Sequence, residues 1–241
     1  MEAYGITDKG KVRRQNQDAF WISCENGQAI LTVCDGMGGA KAGNVASDLA
    51  VKVFRTEIRR RMAEDKNADI EDVLRDTVVL ANTAVYELSI ANNDMNGMGT
   101  TFVSAVAENG KLTVINVGDS RAYLISSGEI RQITRDHSLV EDMVERGDIT
   151  REESLHHPNK NLITRAVGTL DTVESDVFRE DLSPGDTVLL STDGLTNIVR
   201  DSEILDAVMS ESKIGSCCEK LIKLALSRGA PDNVTVAALR L

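Results

Sequence analysis

The sequence predicts a mixed α+β fold, with antiparallel strands and two helical pairs in one domain spanning residues 1–241. Three observations carry that expectation. Segments with helical spacing come in two tandem pairs, one in the N-terminal half and one near the C-terminus. The apolar runs between them are short and joined by tight turns, which only antiparallel neighbours permit. Only three prolines occur (Pro158, Pro184, Pro231), and no Gly/Ser-rich linker, repeat or low-complexity tract divides the chain.

The first helix is expected over 44–62, where Val45, Ala46, Leu49, Ala50, Val53, Phe54 and Ile58 fall on one face. Ile70, Val73, Leu74, Thr77, Val78, Ala81, Ala84, Val85 and Leu88 repeat the pattern, with Asp69 placed as N-cap and Asp72 at its third position. Strands are expected over 101–107 and 112–117, joined through Asn109-Gly110, a pair suited to a type I′ turn. Runs 121–125 and 130–134 flank Ser126-Ser127-Gly128-Glu129, a second hairpin. Residues 138–170 are polar and sparsely periodic and read as a flap leaving the core. The second helical pair is expected over 202–211 and 214–228.

Charge narrows the function classes. Lys and Arg total 27 against 38 Asp and Glu, a net charge of −11. That balance argues against nucleic-acid binding, which needs a basic face, and against docking on anionic lipid. No apolar run reaches membrane-spanning length, and the start, MEAYGITDKGK, has no apolar signal-peptide core. Cys24, Cys34, Cys217 and Cys218 show no CxxC spacing, so reduced thiols in a cytoplasmic protein are expected. Arg59-Arg60-Arg61 reads as a solvated helix end, and His156-His157 as surface loop.

The informative pattern is a carboxylate beside each apolar run. Asp35 follows 29–34, Asp119 follows 114–118, Asp193 follows 188–192, and Asp232 precedes the strand expected over 234–239. A single such aspartate is ordinarily a turn residue or a cap. Four of them, three next to glycine, suggest carboxylates gathered around a hard divalent cation, Mg²⁺ or Mn²⁺. Thiolate-rich zinc ligation lacks the required spacing.

Seven motifs then occur in order: Arg13-Arg14-Gln15-Asn16-Gln17-Asp18, Asp35-Gly36-Met37-Gly38-Gly39, Gly99-Thr100-Thr101, Gly118-Asp119-Ser120-Arg121, Asp136-His137-Ser138, Ser191-Thr192-Asp193-Gly194 and Asp232-Asn233-Val234-Thr235. Over residues 5–239 they resemble the PPM (type 2C) metal-dependent serine/threonine protein phosphatases, in particular compact bacterial members. The resemblance implies a central β-sandwich flanked by helical pairs. It implies two tightly bound Mn²⁺ or Mg²⁺ ions, with Asp35 bridging them and the Gly36 carbonyl, Asp193 and Asp232 as further ligands. Asp18 would act mainly through water, Asp119 with Asp193 would hold a weaker third ion, and Arg13 would bind the substrate phosphate. Implied partners are phosphorylated proteins and an opposing serine/threonine kinase, with the enzyme a monomer.

Two positions depart from the family pattern. Gln17 stands where glutamate is common, removing one negative charge. Met37 stands where many eukaryotic members carry a histidine proposed as general acid. His137 is the nearest candidate acid by motif, although its reading favours support of the fold, as does that of Gly99-Thr100-Thr101. Small residues are common in the family where Ala230-Pro231 precedes Asp232. A hydrolase of small phosphate esters or nucleotides, and a non-catalytic phosphoprotein-binding relative, are the competing functions. The intact set Asp35, Gly36, Asp193 and Asp232 counts against the latter.

Overall fold

The computed structural model describes residues 1–38, 42–65 and 68–241. The chain opens with strands β1 (Glu2–Asp8), β2 (Asp18–Glu25) and β3 (Gln28–Met37), followed by helices α1 (Gly43–Glu64) and α2 (Ile70–Ala91). Next come β4 (Gly99–Thr100), β5 (Phe102–Glu108), β6 (Lys111–Val117), β7 (Arg121–Ser126) and β8 (Glu129–Gln132). The segment 138–170, expected as a flap, contributes two short helices, α3 (Leu139–Glu145) and α4 (Arg151–Leu155). Strands β9 (Asp176–Asp181) and β10 (Thr187–Ser191), helices α5 (Asp193–Thr196), α6 (Asp201–Ser210) and α7 (Ile214–Ser227), and β11 (Val234–Arg240) complete the fold.

Two antiparallel sheets result. One runs β1-β11-β10-β7-β8; the other runs β2-β3-β5-β6-β9, with β4 also pairing β3. Strand β3 shows why its residues read as an unbroken apolar run. Ala29, Leu31 and Val33 face the opposite sheet, while Ile30 and Cys34 face α1 and α2, and all five are buried. Strand β10 repeats this, with Val188 and Leu190 toward the other sheet and Leu189 toward α6 and α7. A sheet covered on both faces has no polar face to present, so alternation disappears. The layers are therefore helix, sheet, sheet, helix.

The local signals behave as expected, with refinements. Asn109 and Gly110 both have positive φ (51° and 73°), as a type I′ turn requires, and Ser127 and Gly128 match them at 54° and 81°. A third such turn joins β2 to β3 through Asn26-Gly27, whose φ values are 53° and 81°. Asp69 caps α2, but its Oδ1 accepts from Glu71 N (2.8 Å), one position earlier than a capping box would place the bond. Arg60 pairs with Glu57 and Glu64, and Arg61 with Asp76, so that basic run is a surface network. Arg59 also stacks 5.2 Å from the Trp21 ring centroid. Among the described residues no helix is long and apolar enough to cross a membrane.

Phe54 of α1 meets Phe102 of β5 edge-to-face, with centroids 4.9 Å apart, and both are fully buried. This contact seats the first helical pair on its sheet. Phe54→Ala is expected to lower unfolding free energy by about 3–5 kcal/mol. Val79→Ala, on a half-exposed face of α2, should shift it by less than about 0.5 kcal/mol. Urea unfolding of both variants checks the contrast; equal effects would contradict this packing account.

Candidate metal centre

All five predicted carboxylates lie at one end of the sandwich, delivered by different elements. Asp18 opens β2 and is the direct cross-strand partner of Asp35 on β3, a placement that sets two like charges side by side. Asp35 therefore lies within its strand, two residues short of the end. Asp119 occupies the turn between β6 and β7, Asp193 starts α5, and Asp232 lies two residues before β11. Asp35 is central: burial and the charges of Asp18, Asp193, Asp119 and Asp232 push its carboxyl well above the usual range. Burial foremost, then neighbouring carboxylates, raises Asp119 to about 8 and also raises Asp193. Burial likewise lifts Asp18 to about 7, opposed by hydrogen bonds from Thr235 and Thr192.

Those two bonds show how the sheets are locked beneath the site. Asp18 Oδ2 accepts from Thr235 Oγ1 (2.6 Å) and Thr192 Oγ1 (3.0 Å), both on the opposite sheet's side. Asp18 Oδ1 is buried without a hydrogen-bond partner, and so is Oδ1 of Asp193, whose Oδ2 accepts from Asn197 Nδ2 (2.9 Å). An orphaned buried carboxylate oxygen is costly unless something else satisfies it. Gly36 brings backbone close as well: a Cβ there would stand 2.1 Å from Gly43 O and 2.5 Å from Gln17 O. Only glycine lets the β3 end, the N-terminus of α1 and the Gln17 segment meet. Gly39, the last residue of that motif, lies outside the described residues.

Arg13 takes a position the motif does not disclose. Its Nη2 donates to Asp232 Oδ2 (2.7 Å), while Asp232 Oδ1 accepts from Asn233 N (2.8 Å). Both oxygens of Asp232 are thus occupied. Accordingly, among the described residues no three carboxylate, imidazole or thiolate groups converge into a ready-made cage. The donor set nevertheless fits hard divalent cations: it is all oxygen, mutually repelling, and holds two unsatisfied oxygens. Asp232 is held at the rim of this set by Arg13.

Sequence reasoning placed Asn233, Arg121, Asp136 and His137 in motifs, and read His137 as a support, without disclosing their partners. Asn233 clamps the N-terminal loop, its Nδ2 donating to Lys9 O (2.9 Å) and Gln15 O (3.0 Å) and its Oδ1 accepting from Gln17 N (2.9 Å). Arg121 grips Asp136 through Nε and Nη2, and Gln132 Nε2 donates to the same carboxylate. His137 is buried, with Nδ1 accepting from Gly118 N (3.1 Å) and Nε2 facing Asp176 Oδ2 (3.1 Å). An accepting Nδ1 puts the proton on Nε2, so Asp176 is the acceptor. Burial lowers the proton affinity of this imidazole. Its place under the Gly118-Asp119 turn is that of a support. A groove of about 1150 Å³ runs from Asp119 and Asp193 between the flap and α6.

Proton affinities raised this far have a consequence for metal-free protein. An unfolded aspartate titrates near about 3.9. Between that value and the raised values of Asp18 and Asp119, the folded chain holds protons that the unfolded chain releases. Stability then falls as pH rises through the window, by up to about 1.4 kcal/mol per pH unit for each proton held. Chelator-treated protein is expected to melt lower at pH 8.5 than at pH 5.5, and Asp119→Asn to narrow the gap. An equal or higher melting temperature at pH 8.5 would contradict the crowding of these groups.

Comparison with known proteins agrees with this geometry. Residues 5–234 match the family profile described as Protein phosphatase 2C. The chain is 38% identical over 237 residues to the serine/threonine phosphatase Stp of Listeria monocytogenes, covering 98% of this chain and 94% of that protein. It is 35% identical over 240 residues to protein phosphatase PhpP of Streptococcus pneumoniae, covering 98% and 96%. Among solved structures, Stp1 of Staphylococcus aureus superposes with a TM-score of 0.91 at 39% identity, covering 100% of this chain and 94% of that one. The catalytic domain of the phosphatase PstP, solved with two manganese ions, gives 0.87 at 34% identity, covering 98% and 96%. With the carboxylates of its seven motifs gathered at one end of a two-sheet sandwich, the chain belongs to the protein phosphatase 2C family.

Proposed function

We propose that this protein hydrolyses phosphoserine and phosphothreonine esters of proteins in the cytoplasm, as a monomer opposing a serine/threonine kinase. The observation that carries the reading is the buried cluster centred on Asp35, where five carboxylates gather and Arg121, the cation facing Asp119 and Asp193, is itself bound to Asp136, with Arg13 at the rim. Asp35, the Gly36 carbonyl, Asp193 and Asp232 would hold two Mn²⁺ or Mg²⁺ ions, with Asp18 supporting their water and Asp119 sharing a weaker third with Asp193. Ions bound there would supply an acidified water as nucleophile and neutralise charge on the phosphoryl oxygens, so no side chain needs to be phosphorylated.

The chain's own residues do the rest. Arg13 is half exposed and already beside Asp232, so its guanidinium fork can pass from that carboxylate to two phosphoryl oxygens. The Thr192 and Thr235 hydroxyls hold Asp18 Oδ2 and leave Oδ1 turned to the cluster. Asn197 likewise orients Asp193 through one oxygen. His137, engaged at both nitrogens, keeps the Asp119 turn in place rather than delivering a proton.

A phosphopeptide assay with and without Mn²⁺, run beside nucleotide substrates, tests the reading; nucleotide hydrolysis in its place would favour a small-ester hydrolase. Asp193→Asn is expected to lower phosphopeptide turnover at least about 100-fold, while the fold survives. Near-normal Mn²⁺-dependent activity would contradict its place in the centre. Arg13→Ala should chiefly raise KM, because its contact with phosphate exists before the transition state. Unchanged kinetics would make Arg13 only a partner of Asp232. Asp119→Ala should keep its melting temperature in the presence of Mn²⁺ yet lose much more activity on a phosphopeptide than on an aryl phosphate, whose leaving group needs less protonation. Equal defects on both substrates would defeat that role.

A further inference from the structure

Residues 9–14 hold Lys9, Lys11, Arg13 and Arg14 and no Asp or Glu, in a chain whose net charge is −11. Apart from buried Gly10, the segment is exposed. It is also firmly held. Gly10 N donates to Asp8 Oδ1 (2.8 Å), Lys11 N to Ala230 O (2.9 Å), and Asn233 ties down Lys9 O and Gln15 O. Gly10 has φ +75°, and a Cβ there would lie 2.1 Å from Asp232 O, so the loop is pressed against the backbone of a cluster residue. Arg13 reaches Asp232 from this loop. The side chains of Lys9, Lys11 and Arg14 make no ion pair among the described residues.

The other side of the site differs. In the flap groove Arg121 is bound to Asp136, Arg135 to Asp142 and Glu145, and Arg151 to Glu141, while Lys160 and Arg200 make no ion pair among the described residues. Carboxylates outnumber bases along that groove. Among the described residues next to the centre, positive charge with no carboxylate interspersed is therefore concentrated on the 9–14 loop. Building on the phosphatase reading above, we infer that this loop is a docking surface for acidic residues flanking the phosphorylated residue of the substrate, with Lys11 and Arg14 as its specificity determinants. Long exposed bases act here through attraction and encounter rather than through a fixed ion pair, so the effect falls on KM and is screened by salt.

The test uses two phosphothreonine peptides differing only in their flanks, acidic in one and lysine in the other, with an aryl phosphate as the flankless substrate. At low ionic strength the acidic peptide should show kcat/KM about 10-fold or more above the lysine peptide. Lys11→Glu with Arg14→Glu should abolish that preference through KM, and aryl phosphate hydrolysis should change little. Salt alone, added to unaltered protein, should erode the preference too, which keeps the test valid if the double variant folds poorly. Equal use of both peptides, a preference for lysine flanks, or a preference that survives salt and substitution would overturn this inference alone. Hydrolysis of the aryl phosphate with neither peptide touched would overturn the phosphoprotein reading and this inference with it.

Discussion

The structure depends on an unfavourable arrangement: carboxylates buried together at the open end of a sandwich. The cross-strand pair Asp18–Asp35 is its core, since antiparallel register fixes the two side chains as neighbours with nowhere to turn. Like charges so placed weaken a sheet, and burial magnifies the penalty. Here the fold holds them by hydrogen-bonding one oxygen of Asp18 and of Asp193 and leaving the other unsatisfied. Repulsion stored in this way is what a divalent cation bound among these carboxylates would relieve.

What resists the repulsion is the rest of the molecule. Three apolar clusters, one between the sheets and one beneath each helical pair, make the strand ends rigid. Polar clamps then finish the positioning. Asn233 joins the N-terminal loop to the start of β11, and His137 joins the Asp119 turn to Asp176 on β9. At Gly118 the φ of +105° and a would-be Cβ 2.7 Å from Thr101 Cγ2 explain why glycine precedes that aspartate. Thr101 itself supports the opposite carboxylate, its Oγ1 accepting from Asp35 N. Structural and functional motifs are thus in mutual contact.

Much of this was legible in the chain. Helical periodicity located α1, α2, α6 and α7 within one or two residues at most ends, and Asn109-Gly110 announced its turn. Strand-end aspartates marked the site because apolar runs made their polar neighbours conspicuous. What stayed hidden was pairing between distant residues. Asn26-Gly27 carries the same turn signal, but the half-buried β2 beside it lacks a strong apolar run. Helix α5 is only four residues long, too short for periodicity to register. The contact of Arg13 with Asp232 spans 219 positions, and nothing local in either segment foretells it. The hydroxyls of Thr192 and Thr235 belong to visible motifs, yet their shared acceptor, Asp18, emerges only when the sheets stack.

The central claim is that these buried carboxylates form a divalent-metal centre. Calorimetric titration of chelator-treated protein with Mn²⁺, repeated in buffers of different ionisation enthalpy, tests it most directly. Carboxylates that hold protons in the metal-free fold must release them on binding, so the heat should depend on buffer while two tight equivalents are taken up. In Asp35→Asn the tight phase should be lost. Binding without proton release, or tight binding undiminished in Asp35→Asn, would contradict the account.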